Sequence, residues 1–165
     1  MRVGQQGSLS RTWAKRGSRP MAVCQRQFLS AYVYGACCPS KDCAVGLVLP
    51  HVNMAMMGLH LAEISSHVAD GSHAVVVLDR ATWHVSSKLV LPSNVSLLPL
   101  PPYAPELNPV EQVWQQLRKL KLSNVAYKDY GSILTSACEA WRMFEREEGN
   151  VKRLCSRNWA TISKI

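Results

Sequence analysis

Between Leu98 and Trp114 the chain reads Leu-Pro-Leu-Pro-Pro-Tyr-Ala-Pro-Glu-Leu-Asn-Pro-Val-Glu-Gln-Val-Trp, and no other stretch narrows the possible folds so far. Prolines 99, 101, 102 and 105 stop the apolar run from Val95 to Leu100. They predict an extended, stiff loop, because each ring fixes φ and removes an amide donor. Asn108 then supplies a helix N-cap, Pro109 suits the first helical position, and Glu111 falls three residues past the cap. Val110, Val113, Trp114 and Leu117 recur at helical spacing and give the helix one apolar side. Strand, rigid loop and a helix opening on Glu111 are expected in that order.

Upstream, Ala74-Val-Val-Val-Leu78 is a continuous apolar run of strand length, which predicts a central strand covered on both faces. Asp79 closes it. An Asp at a strand's carboxyl end and a Glu at a helix start can bring two carboxylates to one sheet edge, where they would hold divalent cations beside a phosphodiester. The helix start adds backbone donors and a positive dipole end that favour phosphate oxygens. Each acid also has a plainer reading: Asp79 as a turn or cap residue, and Glu111 as the returning arm of a capping box.

The remaining elements follow from pattern. FLSAYVYGA and CAVGLVLP, separated by Cys-Pro-Ser-Lys-Asp, predict a β-hairpin over residues 28–49. Asn53 caps a helix to about Val68 whose stripe is Met57, Leu61, Ile64 and Val68, and Asp70-Gly71 ends it. His60, Glu63 and His67 fall along one side of that helix and are expected on its solvated face. A short, helical piece is expected from Thr82 to Leu89, and a last helix from about Asp129 to Phe144 with Tyr130, Ile133, Ala137, Trp141 and Phe144 inward. Hairpin, helix, two strands and late helices make an α/β order with no internal repeat.

At 165 residues and 47% apolar content the chain is the size of one globular domain. Nineteen basic against eleven acidic residues give +8, and Arg2, Arg11, Lys15, Arg16 and Arg19 crowd the first twenty positions. Such an arm suits a polyanion or is a solvated terminus. Trp13 within it either contacts nucleic-acid bases or anchors the arm. No apolar run approaches the roughly 20 residues of a membrane span. With no apolar secretory stretch at the start, the six cysteines are expected as free thiols, Cys37, Cys38 and Cys43 buried in strands rather than on a metal.

Asp79-Arg-Ala-Thr-Trp-His84 and Leu100-Pro-Pro-Tyr-Ala-Pro-Glu-Leu-Asn-Pro-Val-Glu111 together resemble the DDE-type transposases of bacterial insertion sequences, the mariner-like group. The likeness continues through GQQGSLSRTWAKRGSRP at 4–20, the YVYGA hairpin and the VNMAMMGLHLAEISSHV helix. It implies a ribonuclease-H-like mixed sheet flanked by helices. It also implies one catalytic domain over 1–165, divided into a basic arm (1–20), sheet and catalytic motifs (21–124) and C-terminal helices (125–165).

By the same resemblance Asp79 and Glu111 are the second and third acids of an Asp-Asp-Glu triad on two Mg²⁺ or Mn²⁺ ions. The family's chemistry is attack by water and then by a freed 3′-hydroxyl on DNA. The first acid belongs on the opening strand ahead of Arg2-Val-Gly-Gln-Gln-Gly7, and residues 1–41 hold no Asp or Glu. Most of that first central strand is therefore expected to be missing, as in an N-terminally truncated member, with weak metal binding and little activity alone. Asp42, in the hairpin turn, is not expected to replace it. Arg80, where relatives carry an amide, either repels cations or clamps a phosphate.

Arg11, Lys15, Arg16, Arg19, Arg80, Arg118, Lys119 and Lys121 are the expected DNA contacts. Partners implied are transposon ends and target DNA, a second copy or an intact transposase, and no membrane; the setting implied is the bacterial cytoplasm at the nucleoid. The competing reading is a non-catalytic DNA-binding remnant that regulates intact relatives.

Overall fold

The computed structural model describes residues 1–7, 10–11, 13–21, 25–80, 89–102 and 104–160. The expected hairpin is present. Strands β2 (Ser30–Cys38) and β3 (Cys43–Leu49) pair antiparallel from Tyr32↔Leu49 to Cys38↔Cys43 around a 3₁₀ turn at Pro39–Lys41. Asp42 closes that turn at φ 49°, a left-handed conformation that Asp tolerates better than most residues.

On β2's other edge lies β1 (Arg2–Gly4), antiparallel with Arg2 opposite Tyr32 and Gly4 opposite Ser30. The first residues of the expected basic arm are thus part of a sheet. Gln5 continues the attachment from inside: its Nε2 donates to Tyr127 O and its Oε1 accepts from Leu29 N. Gln25 clamps the same backbone, accepting from Tyr127 N and donating to Tyr127 O. These bonds answer the requirement that buried amide groups be paired.

Alternation along the hairpin sends side chains to two cores. Ala31, Val33 and Ala44 face a layer built from α2 (Val110–Leu117), α3 (Tyr130–Arg146) and α4 (Asn150–Cys155), with Val113, Leu117, Ile133, Trp141, Phe144 and Val151. Tyr34, Val45 and Leu47 face α1 (Met54–Ser66), with Met57, Leu61 and Ile64. Leu61 is fully buried, a burial that contributes about 1.5–3 kcal/mol for a side chain of this size. Asn53 caps α1 as expected, its side chain accepting from Met56 N at 2.9 Å. The helix ends two residues before Val68.

His60 differs from expectation: it is buried at 4% exposure and packs tilted against Tyr34, ring centres 5.7 Å apart. Its position three residues after Met57 puts it on the inward arc rather than beside it. Glu63 and His67 do lie toward solvent, His67 Nδ1 being 2.9 Å from Glu63 O.

β4 (Ala74–Leu78) and β5 (Val95–Pro99) are present, paired in parallel from Ala74↔Val95 to Leu78↔Pro99. The sheet order is β1-β2-β3 and, separately, β4-β5. Among the described residues β4 is thus not a central strand covered on both faces. Val76 and Leu78 pack on α1, whereas Val75 is 61% exposed. An unbroken apolar run shows strand length but not how many faces are covered, and the three-residue β1 spends its ladder on β2. Asn94 fastens this ribbon to α1, accepting from Ser65 Oγ at 2.6 Å, donating to Ser65 O, and accepting from Ala74 N through its own carbonyl.

The piece expected at Thr82 to Leu89 lies, up to residue 88, outside the described residues, as do Trp83 and His84. Cys37 and Cys38 are half-buried, but Cys43 is exposed. The expected burial fails there because Cys43 opens its strand at the end of the hairpin. Among the described residues no helix is long and apolar enough to cross a membrane.

Candidate active site

Asp79 directly follows β4 and is exposed. The two strand ends beside it are stitched together: Leu100 N donates to Leu78 O at 2.8 Å, and Arg80 Nε donates to Leu100 O at 2.9 Å. Arg80 is therefore tied by one edge to the start of the proline-rich loop. Leu100 itself is buried, so the loop leaves the sheet from a fixed point next to Asp79.

The loop is less extended than its prolines predict. Pro105–Leu107 forms a 3₁₀ turn closed by Leu107 N to Ala104 O at 3.2 Å. Proline is well suited to the start of such a turn, since its missing N–H needs no partner there. Asn108 then serves as cap, its Oδ1 accepting from Val110 N at 3.3 Å and its carbonyl accepting from Glu111 N at 3.2 Å. Val113, Trp114 and Leu117 are buried as the stripe requires. The Glu111 side chain does not return to the Asn108 backbone, so the capping-box reading of this acid is not what occupies it. A capping box is formed instead by Asp129 with Ser132 at the start of α3.

Glu111 projects from the first turn of α2 into solvent, close enough to the start of β1 to be felt there. Burial lowers the Met1 ammonium to about 6, the Glu111 carboxylate opposes that shift, and Arg118 reinforces it. The ammonium donates to Val33 O at 2.6 Å, and Val33 N returns a bond to Met1 O at 2.8 Å. A cleft of about 310 Å³ opens at this end, lined by Met1, Arg2, Gly4, Gln6 and Arg118 among others. Arg2 and Arg118 make its lining basic. Arg118 follows α2 directly, its N–H still bonded to Trp114 O, and opens a π-helical turn, Arg118–Leu122, which sequence periodicity does not mark.

The other expected residues are placed as follows. Arg11, Lys15, Arg16 and Arg19 are all exposed, and so is the whole of Trp13; Trp13 therefore anchors nothing. The arm is held instead by Ser10 and Asn124, whose side-chain amide accepts from Ser10 N and donates to Ser10 O at 3.1 Å each. Lys119 is exposed, while Lys121 forms an ion pair with Glu139. Asp42 caps α4, accepting from Lys152 N at 2.8 Å and from Gly149 N. Among the described residues no three His, Cys, Asp or Glu side chains gather as a metal cluster. The donors on offer are the hard carboxylate oxygens of Asp79 and Glu111, a type that suits Mg²⁺ or Mn²⁺.

The structure is thus a mixed α/β fold with a hairpin sheet between two helical layers, an Asp at a strand end and a Glu at a helix start. Residues 1–133 match the family described as DDE superfamily endonuclease, and the chain belongs to that family. It is 48% identical over 130 residues to a Sinorhizobium fredii (strain NBRC 101917 / NGR234) chain described as "Uncharacterized protein y4pE/y4sA", covering 79% of this chain and 96% of that one. It also resembles a chain in the crystal structure of the Mos1 strand transfer complex, with a TM-score of 0.61 at 14% identity over 93% of this chain. The chain spans about half the length of that solved chain, 48%. The expected ribonuclease-H-like fold and the resemblance to DDE-type transposases are both borne out.

Proposed function

We propose that this chain is the catalytic domain, over residues 1–165, of a transposase that cleaves and joins DNA strands with divalent metal ions, Asp79 and Glu111 being two of the ion ligands. One observation supports the reading above others: a family match that spans both acids coincides with a fold that puts them at a strand's carboxyl end and a helix's first turn, both open to solvent. Ions held there by carboxylate oxygens would activate a water or a 3′-hydroxyl and neutralise the leaving oxygen. The exposed Arg11, Lys15, Arg16 and Arg19, with Arg80, Arg118, Lys119 and Lys121, would neutralise DNA phosphates at transposon ends and target.

Residues 1–41 carry no acid and Asp42 is committed to α4, so the chain by itself offers two ligands where three are needed. On its own it binds DNA, holds Mg²⁺ or Mn²⁺ weakly and cleaves little; it would pair with a second copy or with an intact transposase, and of the two the intact transposase would bring a further acid. The test is nicking of supercoiled plasmid with Mn²⁺, together with a DNA-binding titration, for the chain and for Asp79→Ala and Glu111→Ala. Weak Mn²⁺-dependent nicking lost in both variants supports the enzyme. Salt-sensitive DNA binding that ignores metal and both substitutions, with no nicking, supports the regulatory remnant instead. Absence of DNA binding removes both readings.

A further inference from the structure

The hairpin carries a second chemical feature that the transposase reading does not use. Cys38 and Cys43 are the last ladder pair before the turn, directly opposite one another on β2 and β3. Opposed residues of an antiparallel pair have Cα atoms about 4.5–5.5 Å apart and project to the same face. A disulfide wants Cα atoms about 4.4–6.8 Å apart, so the ladder already sets the required spacing. Cys43 is exposed and Cys38 half-buried, and Cys38 Sγ lies 3.3 Å from Ser40 Oγ. Cys37 points to the opposite face, where its thiol hydrogen-bonds with that of buried Cys155. Strand alternation thus separates four neighbouring thiols into two pairs.

We infer that Cys38 and Cys43 form a reversible cross-strand disulfide by exchange with a low-molecular-weight disulfide. The exposed Cys43 thiolate attacks one sulfur of the oxidant. The oxidant's S–S bond breaks, a mixed disulfide forms on Cys43, and one small thiol leaves after taking up a proton. Cys38 then loses its proton and attacks the Cys43 sulfur, releasing the second small thiol, so that two electrons pass from the cysteine pair to the oxidant. Burial and the neighbouring Cys38 thiol hold the Cys43 proton more tightly than usual, against the pull of Lys41, so the first step quickens as pH rises. The bond closes a loop of only four intervening residues that the hairpin has closed already. It therefore gains little from chain entropy and is easily reduced. Its effect would be to fix the turn that presents Asp42 to α4.

The test uses the reduced chain, incubated folded with oxidised glutathione, alkylated and digested with trypsin. Lys41 lies between the two cysteines, so cleavage there leaves them on separate peptides unless a disulfide holds them. The expected product is a linked peptide pair, lighter by two hydrogens, that fragmentation assigns to Cys38–Cys43 and dithiothreitol abolishes. Cys38→Ser and Cys43→Ser, with circular dichroism confirming the fold, should each lose the pair and leave the remaining thiol as a lasting glutathione adduct. Separate adducts on both cysteines of the unsubstituted chain would overturn the inference. So would a link that persists through Cys37 in the Cys38→Ser variant.

Discussion

Asp42 in the hairpin turn and Lys152 in α4, distant in sequence, are joined by a 2.8 Å hydrogen bond from the lysine's backbone N–H to Asp42 Oδ1. Gly149 N donates to the other oxygen. The bond from Lys152, then that from Gly149, hold the Asp42 carboxyl below its ordinary value of 3.8. A depressed carboxyl contributes stability that is complete above the unfolded value and lost as pH falls through the folded one. The urea midpoint should therefore fall as pH drops below about 4, and Asp42→Ala should lower the midpoint at pH 7 while flattening that acid limb. Curves for the two proteins that stay parallel down to pH 2 would mean the cap contributes nothing.

Packing of α3 on the hairpin makes the second expectation. A Cβ on Gly35 would stand 2.6 Å from Trp141 Cη2 and 2.8 Å from Trp114 Cη2, and one on Gly46 would meet the Trp141 ring more closely still. These backbones admit the indoles only because no side chain intervenes. Gly35→Ala should cost about 1–3 kcal/mol by overpacking. Phe144→Ala, emptying a fully buried site beside Trp141, should cost about 3–5 kcal/mol. Denaturant unfolding measures both.

Glu111→Gln separates function from folding. The acid is exposed on the first turn of α2, where loss of its charge at the helix start costs about 0.3–1 kcal/mol. Its Mn²⁺ affinity, read by isothermal titration, should drop several-fold in spite of that small change. A larger loss of stability with unchanged metal binding would assign Glu111 to the scaffold.

The basic arm makes a quantitative expectation about salt. Arg11, Lys15, Arg16 and Arg19 are all exposed, and each phosphate contact contributes about 0.9 to the slope of log K against log salt on duplex DNA. Replacing all four by Ala should lower the slope by roughly 3 to 4 units if every one contacts phosphate. Fluorescence anisotropy from low to moderate salt reads it directly, and an unchanged slope would remove the arm from the interface.

Local rules made the elements around the site legible. Asn53, Asn108 and Asp129 mark helix starts because a side-chain oxygen must meet the first free amides, and all three do so. Asp79 and Glu111 are readable as ends of elements because the apolar run stops at Leu78 and the helix stripe starts at Val110. His60 was readable too: its spacing from Met57, Leu61 and Ile64 places it inward, a signal overridden by its polarity. What the chain does not disclose locally depends on distant partners. Gln5 is a clamp because of Leu29 and Tyr127, Asp42 a cap because of α4, and Arg118 a wall of the cleft because β1 lies beside it. The split between the sheets is likewise invisible in Ala74–Leu78, whose valines look alike although one faces solvent.

Asn94, gripping the tail of α1 and the head of β4 together, acts as a pivot for the parallel ribbon. At about 3.3 Å per residue, the five-residue β4 carries Asp79 on a lever arm of roughly 16 Å from that pivot. A rotation of about 4° there would carry the carboxylate about 1 Å without breaking a backbone ladder to the hairpin, since among the described residues packed side chains are the join. A displacement of that size would change the gap between the two candidate metal ligands.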